Sequence, residues 1–156
     1  MSRLSHVDAS GRARMVDVSD KEPTARMATA RGCLICKPET LEQVVAGTTP
    51  KGAAIETAEL AGVMAAKRTA GLIPLCHPLP LTHVEVRIES DKSLPGFRIE
   101  AEVRTRAETG VEMEALTAVA IAGLTLFDML KAIDRSMIIG SIEVTAKTGG
   151  KSGSWA

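Results

Sequence analysis

Tyrosine is absent from this chain, and its other aromatics are only Phe97, Phe127 and Trp155. The absence removes phenolic acid/base chemistry and argues against a platform on which nucleic-acid bases would stack. It also leaves the core to aliphatic side chains and methionine. Net charge is missing too, because 19 acidic and 19 basic side chains cancel. A general nucleic-acid or membrane-surface binder needs a basic excess, so neither class is expected. Cysteine is scarce and odd in number, three in all. With no secretion signal ahead of them, they fit a reducing cytoplasm. Met1 to His6 holds no apolar run of the signal-peptide kind. No stretch reaches the roughly 20 apolar residues of a membrane span. At 156 residues a soluble, cytoplasmic, single-core chain is expected.

What is present alternates between extended and helical patterns. Residues 1–22 read as a flexible N-terminal segment, with a turn at Asp8-Ala9-Ser10-Gly11 and an extended piece over Met15-Val16-Asp17-Val18. Thr24 to Lys37 reads as a strand resting on Cys33-Leu34-Ile35-Cys36. Pro38-Glu39-Thr40 opens a short helix through Val45, stopped by Gly47. A longer helix is expected from about Gly52 to Thr69. Its stripe is Ile55, Ala58, Ala61 or Gly62, and Ala65, small enough for a neighbouring helix to come close. Gly71 ends it, and Pro74, Pro78 and Pro80 keep the next residues irregular.

Between Thr82 and Glu89, Val84, Val86 and Ile88 alternate with polar side chains. Phe97, Ile99, Ala101 and Val103 do the same on the way to Arg106. Two strands with one wet face each imply an antiparallel sheet covered on one side. Ser141 to Lys147 supplies a last strand. The order predicts an α+β, ferredoxin-like βαββαβ domain with helices on one face, spanning residues 23–148. Residues 149–156 form a Gly/Lys-rich tail expected to be mobile.

The chemistry gathers on the apolar helix that begins at Thr109-Gly110-Val111-Glu112-Met113-Glu114 and ends at Phe127-Asp128-Met129-Leu130-Lys131. Charge in such a segment is costly unless paired or used. Asp128 and Lys131, three apart, are neighbours on one face. They form either a surface ion pair or, partly buried among Leu124, Leu126 and Met129, an acid/base couple. Glu114 shares their side of the helix, yet fourteen residues at 1.5 Å each put it roughly 21 Å away. Either Glu112 and Glu114 merely favour the positive helix end, or a second subunit brings the distant end into the same site.

Leu75-Cys76-His77-Pro78 sets a histidine on a proline-stiffened loop, the kind of backbone that often carries function. Cys33 and Cys36 on a strand point to opposite faces and cannot share a metal, so no metal site is expected. Lys51, Lys67, Lys131, Lys147, Lys151, Arg26 and Arg68 read mostly as solvated surface charges. The run Gly149-Gly150-Lys151-Ser152 resembles the end of a phosphate-binding loop, but Thr145 stands where its first glycine belongs and no helix follows. It could still wrap a phosphate with open amides and lysines.

Several stretches together resemble one family. These are Met15-Val16-Asp17-Val18-Ser19, Ala61-Gly62-Val63-Met64-Ala65-Ala66-Lys67-Arg68-Thr69, Leu72-Ile73-Pro74-Leu75-Cys76-His77-Pro78-Leu79, and Thr109 to Thr117. Asp128-Met129 with Lys131 and Gly149-Gly150-Lys151-Ser152-Gly153 complete the set. In this order they are similar to the MoaC family, the cyclic pyranopterin monophosphate synthases of molybdenum-cofactor biosynthesis.

The resemblance implies a ferredoxin-like fold, a hexamer built as a trimer of dimers, and active sites at the dimer interface. It implies conversion of 3′,8-cyclo-7,8-dihydroguanosine 5′-triphosphate to cyclic pyranopterin monophosphate with loss of pyrophosphate. By motif match Asp128 is the catalytic acid/base, with Lys131 its partner and His77 beside them. Leu75, Cys76, His77, Met113 and Glu114 contact substrate, and Lys51, Glu112 and Lys147 fall at active-site positions. Lys51, Lys147 and Lys151 suit the charge of the leaving phosphates. No cofactor is needed for proton transfer, though Mg²⁺ could accompany the triphosphate. Phe127 stands where tyrosine is common, and Arg104 to Glu108 is too unlike the family to carry anything over. The rival expectation is a non-catalytic nucleotide-binding or assembly protein using the same lysines.

Overall fold

A computed structural model describes residues 6–156. Residues 1–5 of the expected flexible segment lie outside the described residues. The elements run β1 (Thr24–Ile35), α1 (Pro38–Val45), α2 (Ala54–Ala66), α3 (Thr69–Leu72), β2 (Leu81–Asp91), β3 (Gly96–Ala107), α4 (Glu112–Leu130) and β4 (Ile138–Thr148). The strands form one sheet in the order β2-β3-β1-β4, and every neighbouring pair is antiparallel. This is the ferredoxin-like α+β arrangement that the alternation predicts, with the helices on one side of the sheet.

The alternation in β3 decides which face that is. Phe97, Ile99, Ala101 and Val103 are buried, while Arg98, Glu100 and Arg104 are exposed. The buried set meets α4, whose Val119, Leu126 and Leu130 are wholly enclosed with Leu34 of β1. By length and composition α4 could cross a membrane, contrary to the expectation that no segment could. Its apolar character is used inside the fold instead, against the sheet and α2.

Two close approaches depend on glycine. A Cβ on Gly62 would lie 2.9 Å from the carbonyl oxygen of Ala118 and 3.2 Å from Ala122 Cβ, so α2 and α4 touch through backbone and methyl groups. Gly62, rather than Ala61, is the buried member of the α2 stripe. In β1, a Cβ on Gly32 would meet Val119 of α4 at 2.8 Å. The β1–β4 register slips at Gly32 itself, between Arg31 and Cys33, and again just before it, between Thr29 and Ala30.

The expected long helix after Gly52 is two helices. Arg68 leaves helical geometry, and Thr69 is buried with its hydroxyl donating to the Ala66 carbonyl at 3.0 Å, so a separate turn begins. Asp134, just beyond α4, is also buried. Its carboxylate accepts from the Lys37 amide (2.9 Å), the Thr40 hydroxyl (3.1 Å), and the Ser136 amide and hydroxyl (2.9 and 2.6 Å). A side chain 94 residues from Thr40 thereby caps α1. Burial alone raises its pKa, but these bonds outweigh burial and hold it at about 2.

Candidate active site

The N-terminal end of α4 is one wall of a cavity of about 430 Å³. Gly110 leaves room for the Glu112 carboxylate, which fills the space a Cβ would take. Met113 and Glu114 follow on the first turn. The proline-stiffened loop supplies Leu75, Cys76 and His77 to the same cavity, and the N-terminal segment closes it with Val16, Val18 and Lys21. The six residues named from the two motifs therefore share one site.

Their charges are set by environment. Glu114 is 4% exposed, and burial pushes it up to about 7, with the Glu112 charge adding to the rise. Burial and the Glu114 charge raise the Cys76 thiol. Burial also raises Glu112, but the ion pair to Lys147 at 2.9 Å, its own backbone amide and the Arg26 charge together outweigh burial, and the net movement is downward. One carboxylate is thus held ionised while its neighbour can give or take a proton near neutral pH. His77 is fixed differently, with Nε2 2.7 Å from the Val16 carbonyl oxygen.

Lys147 also donates to the Ser152 hydroxyl at 2.6 Å, which ties the tail to the cavity. The tail folds back along β4, where Lys147 and Trp155 exchange backbone bonds of 2.9 and 3.1 Å. Gly149 and Gly150, both at positive φ, lie against Ala25 and Arg26 where no side chain fits. Arg26, expected among the solvated surface charges, instead donates to the carbonyls of Ala107 and Glu108 at 3.0 Å each and helps lower Glu112. No sequence signal separates it from other strand arginines. Lys151 is exposed on the tail.

The other end of α4 carries the second group. Lys131 Nζ lies 2.7 Å from one carboxylate oxygen of Asp128, and Lys51 Nζ lies 3.1 Å from the other. Lys51 also donates to the Asp128 carbonyl at 2.9 Å. It comes from a turn closed by the Gly52 amide on the Thr49 carbonyl. The two lysines, Lys131 first, hold Asp128 below the usual carboxylate range. The side chains of Lys51, Asp128 and Lys131 are 41%, 56% and 54% exposed, so the couple is not partly buried as its apolar neighbours suggest. On the last turn of α4 the Asp128 side faces solvent and the Lys51 loop, while Leu126 and Leu130 keep the opposite side in the core.

Within one chain the two groups stay apart at opposite ends of α4, as the spacing requires. Among the described residues no three His, Cys, Asp or Glu side chains converge as a metal-ligand set. Cys33, Cys36 and Cys76 are free thiols.

Fold and site define a ferredoxin-like protein that lines a small-molecule cavity with groups able to exchange protons. The MoaC family matches residues 15–150, and the chain belongs to that family. It is 60% identical over 154 residues to the cyclic pyranopterin monophosphate synthase of Nostoc sp., covering 99% of this chain and 92% of that one. To the enzyme of the same name from Methylobacterium sp. it is 58% identical, over 100% of this chain and 98% of the other. To that from Brucella ovis it is 57% identical, over 99% and 93%.

Proposed function

We propose that the chain converts 3′,8-cyclo-7,8-dihydroguanosine 5′-triphosphate to cyclic pyranopterin monophosphate, releasing pyrophosphate, as a step of molybdenum-cofactor biosynthesis. The observation that carries this reading is identity of 57–60% to synthases of that name along nearly the whole chain. The reaction class is that of a phosphorus–oxygen lyase.

The site residues suit its two stages. The guanine-derived rings must open and re-close as a pterin, which moves protons on nitrogen and on carbon-bound hydroxyls. Asp128, ionised between two lysines, is the base of the couple, and Lys131 is its acid partner. Glu114, titrating near 7, can work in either direction, with His77 beside it. A ribose-derived hydroxyl then attacks the α-phosphorus. A new P–O bond forms, the bond to the β-phosphate breaks, and pyrophosphate leaves with its electrons. Lys51, Lys147 and Lys151 offset the charge that develops there, and Mg²⁺ can enter as part of the triphosphate substrate. Leu75, Cys76, Glu112 and Met113 hold the base-derived rings in the cavity.

The roughly 21 Å between the two ends of α4 is too far for one small-molecule site. Each working site therefore takes the Asp128 end from one protomer and the Glu114 end from its partner, in a hexamer assembled as a trimer of dimers. The free thiols suit work in the reducing cytoplasm. Incubating the pure protein with the cyclised triphosphate and measuring both pterin and pyrophosphate tests the reaction. Absence of either product defeats it.

A further inference from the structure

His77 holds more information than its place in the cavity, because one of its nitrogens is already committed. Nε2 lies 2.7 Å from the carbonyl oxygen of Val16. A carbonyl oxygen only accepts, so the nitrogen facing it at this distance carries the hydrogen. A neutral imidazole has one N–H and one lone pair, which leaves the lone pair on Nδ1.

Both partners of this bond stand on braced backbone. Behind His77, Pro78 and Pro80 restrict the chain. Beyond Val16, the Asp17 carboxylate accepts from the Ser19 amide (2.9 Å) and hydroxyl (2.6 Å), and the Lys21 amide donates to the Val18 carbonyl at 3.0 Å. On its other side the Arg14 amide donates to the His6 carbonyl at 3.0 Å. Val16 and His77 line the same cavity as Glu114.

We propose that the Val16 main-chain carbonyl is a positioning group that fixes His77 as the Nε2–H tautomer, so that Nδ1 is the atom that exchanges a proton or hydrogen bond with substrate. The role of Nδ1 rests on the reaction proposed above; the tautomer does not. When Nδ1 takes a proton, the bond from Nε2 to Val16 becomes charge-assisted and strengthens, which stabilises the imidazolium at the moment it forms.

The test uses the full chain labelled with ¹⁵N, read by long-range ¹H–¹⁵N correlation at a pH where the ring is neutral. The expected pattern is a protonated, pyrrole-like Nε2 and a bare, pyridine-like Nδ1. The reverse pattern overturns the proposal without any reference to activity. Two variants then separate the roles. His77→Gln keeps an N–H near the Nε2 position but has no lone pair at Nδ1. His77→Asn cannot reach Val16. Relative to the unaltered protein, trypsin cleavage after Arg14 should be unchanged in His77→Gln and faster in His77→Asn; no increase in His77→Asn overturns the bracing role of the bond. Turnover in His77→Gln should fall by about 10²-fold or more, as loss of a general acid/base does. Wild-type turnover in His77→Gln overturns the role given to Nδ1. If the unaltered protein shows no turnover, the proposed reaction fails instead, and the ¹⁵N pattern still decides the tautomer.

Discussion

Glu114 gives a prediction whose size follows from its surroundings. Its carboxyl is nearly sealed from water and titrates at about 7, against 4.5 when unperturbed. Between those values the folded protein keeps a proton that the unfolded chain has released. Stability from this group is therefore fully present below about 4.5 and is lost as pH rises through about 7. At about 1.4 kcal/mol per pH unit, the total amounts to about 3 kcal/mol. Glu114→Gln has nearly the same shape and does not ionise, so it lacks this dependence. Urea unfolding of both proteins from pH 5 to 8.5, at one fixed protein concentration, isolates the difference. The variant should gain on the wild type by up to about 3 kcal/mol across that range, because contributions from groups remote from Glu114 cancel. Parallel curves would refute the reasoning, since they would mean that the carboxyl is solvated or already ionised at pH 5.

The remaining predictions concern other parts of the chain. Asp128→Ala should lower turnover by about 10²-fold or more while leaving far-UV circular dichroism unchanged, because the side chain is exposed. Mixing Glu114→Ala with Asp128→Ala protein should restore part of the activity if each site spans two subunits; no recovery in mixed oligomers would place the site within one chain. Asp134→Ala should cost about 2–4 kcal/mol in urea unfolding, because four donors lose their acceptor. Against Asp134→Asn, the wild type should keep its advantage above about pH 4 and lose it as pH falls towards 2, following its depressed pKa. Gly62→Val should lower the melting temperature, since the new side chain meets the Ala118 carbonyl and not a side chain that could rotate away.

The parts legible in the sequence were those governed by neighbouring residues. Pro38 and Gly47 bracketed α1, and strict alternation marked β2 and β3 with their faces. The framed His77 and the Glu112–Glu114 turn could be singled out for the same reason, and they share a cavity. The parts that escaped depend on residues far apart in the chain. Nothing near Thr69 announces the break after Ala66, which rests on a buried hydroxyl bonding back to the helix. Lys51 meets Asp128 across 77 residues, and Arg26 reaches Ala107 across 81. Asp134 looks like an ordinary loop aspartate until α1 is folded onto it. β4 starts at Ile138, ahead of the expected Ser141, and continues through Ser141 although its φ of 53° is unusual for a strand residue.

The two end segments of the sequence converge on one place. Val16 and Val18 wall the cavity beside Glu112, and Lys147 joins Glu112 to the returning tail that bears Trp155. A substitution in either segment, at Val16 or at Trp155, would therefore be felt at the cavity and not at a remote corner. Kinetic comparisons therefore need both segments intact.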